Sequence, residues 1–466
     1  MEPETRATSF EKDAPKTKDN APKGKTRSNS LFSISSGFTF FALPGGSSSS
    51  SFRMTGLRSF EPRRRSLDFK ILDTDFADEF YEIIFNELYV EIFAIAHSAF
   101  HPGDIPKPPR TSLWLREYPE EFLKYVELVA YPDARAGAWG RLLSDGNERV
   151  NLITAIIYQV LDKKVFSALL FGASSGHDEA LKKIDTALIN VEGFQRSSLR
   201  SHTTRTWLRM SNGEPPRFWE EVDKLCTQMM TMLLPLFAYA KGPTNSDSIP
   251  VSELYQLYQA LHDVIAFAGW ASVCIRMSPT IVSMDWTRPG EPFSMDLVNN
   301  CQEAYEASKR AAHDYHARLG NFISHDKTFA SPARVKISVT PRIVRHKPNP
   351  KSMATQGVNS YTLMEPHVVF YQGFYDKEDE SRAFISLRDY IQMLRDRNCV
   401  PHYTAVSIIA VALFSLLTWL VWHFSLVGQL WRMVQGEVTV SGQNHGPWVM
   451  EDVTDTTLTQ IPTIAG

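Results

Sequence analysis

Gly172-Ala173-Ser174-Ser175-Gly176 is the stretch of this chain whose residue types and spacing come nearest to chemistry. It matches G-x-S-x-G, the pattern in which a sharp strand-to-helix turn exposes a serine hydroxyl to a histidine base. The apolar run Val165 to Phe171 precedes it, and helical spacing follows. His313 and His316 stand three apart, which puts two imidazoles on one helix face as possible metal ligands. No third ligand has an identifiable spacing, so no metal site is expected and these histidines are read as a solvent-facing helix. His177-Asp178 and His262-Asp263 are read as ordinary dipeptides. The 4 cysteines form neither a CxxC nor a Cys/His cluster, which excludes a disulfide framework and a structural zinc.

The same turn resembles the phosphate-binding turn of the short-chain dehydrogenase family, and Tyr305-Glu306-Ala307-Ser308-Lys309 is similar to that family's catalytic Tyr-x-x-x-Lys helix. The resemblance implies a tyrosine, Tyr305, that transfers a proton. It also implies a lysine, Lys309, that lowers the tyrosine pKa and holds a ribose. The chain departs from the pattern where the family's turn continues to a third glycine, because His177 and Asp178 occupy that stretch. Helical spacing precedes the turn, and the alternating short strands of a doubly wound sheet do not follow it. Ser174, Tyr305 and Lys309 are thus weak catalytic candidates whose motifs are expected to be chance. Residues 172–176 are read as a helix–helix loop and Lys309 as part of a solvated helix face. No cofactor is expected.

The elements that would have to position any site are mostly helices. Residues 1–67 carry twelve Lys/Arg against six acids and a serine run, and read as a disordered basic tail. From Asp73 the apolar residues Phe76, Phe80, Ile83, Ile84, Leu88, Ile92 and Ile95 recur every three or four positions, the period of one buried helix face. The same period predicts helices over 119–131, 148–171, 217–240, 252–276 and 294–319, with Pro235 as a kink and Gly320 as a C-cap. The 148–171 segment is apolar on nearly every side and should cross the centre of the core. Around 335–339 the period shortens to two, predicting a strand whose partner lies in 361–371. An amphipathic helix carrying Phe384, Leu387, Ile391 and Leu394 follows. The expected architecture is therefore mainly α. It comprises a multi-helix domain (68–325), a small β-hairpin/helix module (326–402), one C-terminal transmembrane helix (403–427) and a short polar, acidic tail (428–466).

Thr404 to Val427 holds 24 residues without a formal charge. A helix of that length reaches ~36 Å, more than the ~30 Å hydrocarbon core of a bilayer. Arg388, Arg395 and Arg397 precede the span and only Arg432 follows closely, which favours the N-terminal bulk in the cytosol. On that topology all the cysteines are expected to be reduced. Two charge features stand apart from the span. Residues 325–351 hold seven basic groups against Asp326, so Lys336, Arg342, Arg345 and Lys347 are candidates for contact with anionic lipid. Arg63-Arg64-Arg65-Ser66 places a candidate phosphate acceptor, Ser66, beside three guanidiniums.

With 49 Lys+Arg against 52 Asp+Glu, no nucleic-acid partner is expected. The leading expectation is a single-pass integral membrane protein presenting a helical domain to a cytosolic protein partner, as a scaffold rather than an enzyme. The alternatives are a membrane-tethered enzyme, dehydrogenase-like or a serine hydrolase, using Ser174 or Tyr305/Lys309, and a lipid-binding helical domain.

Overall fold

The computed structural model describes residues 60–101, 112–191, 193–240, 250–318, 332–349 and 357–435. Most of the expected N-terminal tail, the C-terminal tail beyond 435, Lys327, Lys351 and the expected cap Gly320 lie outside them.

The described chain is mainly helical. Helix α1 (Asp78–Phe100) buries Ile84, Leu88, Ile92 and Ile95 of the face read from the sequence and adds Tyr81 and Phe85, whereas Ile83, expected on that face, is exposed. Helix α2 (Glu120–Val129) and the short α3 (Gly140–Ser144) lead to α4 (Gly146–Leu161). The Asp145 carboxylate caps α4, accepting the amides of Asn147 at 3.0 Å and Glu148 at 3.1 Å. Every residue from Glu148 to Leu161 is buried, so α4 is the central rod of the body. It passes into a π-helical turn, Asp162–Phe166, before the chain leaves the core. Helices α7 (Phe218–Ala240) and α8 (Val251–Met277) pack on each other and on α1, with Pro235 inside α7.

Between the π-helical turn and α7 lie α5 (Ser175–Ala187), where helical spacing is read after the G-x-S-x-G stretch, and α6 (Gly193–Arg209), for which the apolar pattern gives no signal. The reason is visible in α6, whose buried face is Ser197, Ser201, Thr204 and Leu208 rather than large apolar groups. Small side chains let α6 approach α8 closely, and Ser197 Oγ donates to the Thr280 carbonyl at 3.1 Å.

Among the described residues six strands form two sheets. In the first, β1 (Ile281–Asp285), β4 (Arg342–Pro348) and β5 (Val358–Met364) run antiparallel in the order β1-β4-β5. In the second, β6 (His367–Gln372) sits between β2 (Val298–Asn299), parallel to it, and β3 (Ala333–Ser338), antiparallel. The β3–β6 pairing is the one expected from the alternation, while β1, β2, β4 and β5 are additional. Helix α9 (Gln302–Arg318) lies on β6. The chain then runs through α10 (Lys377–Ala383) into α11 (Leu387–Gln435), a single helix of 49 residues. The amphipathic helix and the apolar span expected as separate elements are thus one rod, continuous through Pro401.

Ile337, Val339, Ile343, Leu363, Val369 and Leu387 share one apolar cluster with residues of α1, α4, α7 and α8. A second, smaller cluster gathers Val335, Val368 and Phe370, with Leu297 and Tyr305 packed against it. At the other end, residues 60–67 are not a free tail. Leu67 and Phe69 pack on the main core, and Phe60 stacks on Tyr255 with ring centroids 4.3 Å apart.

Candidate functional site

Three helices among the described residues are long and apolar enough to cross a membrane: α1, α8 and the Ser407–Val427 stretch of α11. They differ in what covers them. The apolar residues of α8 face α1, α6 and α7, and 78% of its most apolar window is buried; for α1 the figure is 44%, and for Ser407–Val427 it is 0%. Within that last stretch Leu413, Phe414, Leu416 and Leu417 are all more than half exposed, so the apolar surface runs around the whole helix rather than along one stripe. A stripe would mark a partner helix, whereas a full collar fits an apolar solvent. Two polar side chains inside the stretch are satisfied locally. Ser415 Oγ donates to the Val411 carbonyl at 2.8 Å, and Thr418 Oγ1 to that of Phe414 at 3.0 Å. This is the condition lipid imposes on every donor.

The other end of α11 is rooted in the body. Ser386 Oγ accepts the Asp389 amide at 3.1 Å and donates to its carboxylate at 2.7 Å, capping the first turn. Leu387, Tyr390 and Ile391 are buried, and Trp139 Nε1 donates to the Ile385 carbonyl at 2.9 Å just ahead of the helix. Arg388 reaches Glu120 at 3.5 Å.

The residues proposed for catalysis do not meet. Ser174 is the N-cap of α5, its Oγ accepting the His177 amide at 3.3 Å. The turn before it follows a π-helical segment, not a strand, so the geometry of a nucleophile elbow is missing. Gly172 has φ +74°, and a Cβ there would stand 2.6 Å from the Phe218 Cα. That glycine serves the close approach of the loop to the start of α7, where Arg217 N donates to the Gly172 carbonyl at 2.9 Å. His177, the nearest possible base, is buried with its ring stacked on Trp207 at 4.5 Å, and burial holds its pKa below the ordinary histidine value. Tyr305 lies on α9 and donates to Gln372 Oε1 on β6 at 2.9 Å. Burial, with Glu306 nearby, raises its pKa, the reverse of what a dehydrogenase tyrosine needs. Lys309, one turn on, is exposed to solvent. A depression of about 460 Å³ is lined by Leu67, Phe69, Ser211 and Pro215 among others, and one of about 230 Å³ by Leu113, Gly137 and Arg141; none of the three candidates borders either.

The four basic residues proposed to face lipid do not share a surface. Lys336 is fully buried, its ammonium 2.7 Å from Glu148 Oε2 though off the hydrogen-bond direction. Alternation along β3 should have turned it to solvent, but the register shifts between Val335 and Ile337. Those two residues consequently pack in different apolar clusters, and both faces of the strand are covered. Arg345 is also fully buried. Its Nε donates to Thr280 Oγ1 at 3.0 Å, and its Nη1 donates to the Phe76 carbonyl at 3.1 Å and to Asp78 at 2.7 Å. Nη2 binds Asp75, and the guanidinium lies 4.4 Å from the centre of the Tyr81 ring. Lys347 pairs with Asp78 at 2.7 Å. Arg342, the most exposed of the four, lies 3.7 Å from Asp296 and 4.0 Å from Glu365. The local positive charge is thus spent inside the fold or beside acids. Composition within 325–351 carries no trace of those partners: Asp75 and Asp78 lie just before and at the start of α1, Glu148 on α4, and Asp296 and Glu365 in loops.

Among the described residues no cluster of three or more His, Cys, Asp or Glu is placed to hold a metal ion. His316 Nε2 lies 3.2 Å from Arg135 rather than beside a second ligand. Cys226, Cys274 and Cys301 are buried free thiols, and burial raises the pKa of Cys226 and Cys301. Such thiols are poor nucleophiles. Ser66 is exposed on the seated segment that precedes α1. No protein-family model matches the chain, and neither a curated protein nor a solved structure matches it.

Proposed function

We propose that this chain is a single-pass membrane protein that holds a large helical body close to a bilayer and presents it to a cytosolic protein partner. The observation that carries the reading is the uncovered apolar collar of Ser407–Val427, which no part of the body packs against. The stretch measures ~32 Å along the helix axis, a match to the hydrocarbon thickness. The other two apolar helices contribute buried side chains to the protein core, and α1 carries the Asp78–Arg345 ion pair, so withdrawing them into lipid would dismantle the fold. Between the body and the span the helix runs on from Ile391 to Ser407, ~24 Å along its axis. Three arginines before the span against Arg432 after it support the cytosolic side for the body.

The scattering of Ser174, Tyr305 and Lys309 supports a presenting role over a catalytic one. The test is an affinity capture from detergent-solubilised membranes with the full chain as bait. The expected result is a protein recovered in near-stoichiometric amount, retained equally by the Ser174→Ala and Lys309→Ala variants. Recovery of no stoichiometric protein, or a turnover activity lost in Tyr305→Phe, would favour the tethered-enzyme reading instead.

A further inference from the structure

The segment Phe60–Lys70 has neither helix nor strand, yet it is held along its whole length against α1, α7 and α8. Phe60 lies on Tyr255 and against the edge of Tyr258. The backbone of Arg63 is gripped on both sides by one side chain: its amide donates to Gln259 Oε1 and its carbonyl accepts from Gln259 Nε2, each at 2.8 Å. Arg64 rests over Trp219 at 5.2 Å. Arg65 rests over Phe267 at 4.4 Å and pairs with Glu91 at 2.7 Å. Trp270 Nε1 donates to the Asp68 carbonyl at 2.8 Å, and Phe69 meets the edge of Phe218 at 5.0 Å. A Cβ on Gly213 would overlap the Phe69 carbonyl, so the end of the strap is fitted closely to the turn before α7. In the middle of these anchors stands Ser66, exposed.

We propose that Ser66 is a phosphorylation site for a basophilic protein kinase, and that its phosphate traps the strap in a lifted state. Arginines at the three positions before Ser66 and a leucine after it present guanidiniums to a kinase groove lined with carboxylates. In the seated strap Arg64 and Arg65 lie on Trp219, Phe267 and Glu91, so the kinase reads them only when the strap opens locally. In the transfer, Ser66 Oγ bonds to the γ-phosphorus of a nucleoside triphosphate as the bond to the β–γ bridging oxygen breaks. The nucleoside diphosphate leaves, and the hydroxyl proton passes to the kinase's base. The new group brings a charge of ~−2 next to Arg65, where it competes with Glu91 for the guanidinium and repels that carboxylate. The strap's attraction to α1 falls, and the lifted population rises. Lifting uncovers the faces of Tyr255, Trp219 and Phe267.

The experiment incubates the full chain in detergent micelles with a basophilic serine kinase and ATP, followed by site mapping and hydrogen exchange. Incorporation should map to Ser66 and vanish in Ser66→Ala. Glu91→Gln leaves the kinase's recognition sequence untouched but loosens Arg65, so it should raise the initial rate several-fold. After phosphorylation, peptides spanning 60–71 and 255–270 should lose protection together. Phosphate elsewhere but not on Ser66 overturns the site. An unchanged rate in Glu91→Gln, or stoichiometric phosphate with unchanged protection, overturns the release.

Discussion

Arginine at both Leu413 and Leu417 should shift the protein from the carbonate-resistant membrane fraction to the extractable one. Both side chains stand on the uncovered collar of α11, more than half exposed, and neither touches the body closely enough to unfold it. A charge near the bilayer centre costs ~2.5–3.5 kcal/mol on the insertion scale, so the pair removes ~5–7 kcal/mol from the preference for the inserted state. The matched control is Ile83→Arg with Val90→Arg on α1, at positions 63% and 62% exposed. If α1 stays in the folded body, that control leaves membrane association intact. Loss of association in the control and not in the α11 pair would make α1 the anchor.

The Lys336→Met variant should lose ~3–5 kcal/mol of stability, the usual cost of orphaning a buried charge. Glu148 is wholly inside the core, and Arg141 at 3.5 Å is its other cationic neighbour. Methionine fills the volume of the lysine stem, so the loss reports the stranded carboxylate rather than a cavity. Adding Glu148→Leu should restore most of the stability, because two apolar groups replace two charges. Arg345→Met should behave like the first variant, since Asp75 and Asp78 lose their common guanidinium. Denaturant unfolding in micelles, followed by tryptophan fluorescence, measures all three. Wild-type stability in Lys336→Met would mean that the lysine is not buried against Glu148.

What the sequence made legible and what it hid follow from the range of the interactions involved. Helices α1, α2, α4, α7 and α8 announce themselves because large apolar residues repeat at the helical period on the face they bury. Helix α6 does not, since most of its buried face is Ser197, Ser201 and Thr204, which composition counts as polar. The strap escaped detection for a different reason. Its hold comes from aromatic and amide contacts nearly two hundred positions away, as between Arg63 and Gln259, which leave no period in the local sequence. Lys336 is hidden because β3 bulges beside it and is covered on both faces, so Lys336, Ser338 and Thr340, the positions that a half-buried alternation assigns to solvent, are all buried. The weak catalytic motifs turn out to have structural occupants: a capping serine, a glycine under Phe218, and a tyrosine held by Gln372.

The membrane arrangement is tested most directly by protease added to sealed vesicles carrying the full chain with its native orientation. The expected result is digestion of residues 1–400 from outside, leaving a protected fragment that contains the apolar span and everything after it. That fragment should stay with the vesicles at alkaline pH. Protection of the large N-terminal part would reverse the topology, and release of the fragment by carbonate would contradict a spanning anchor.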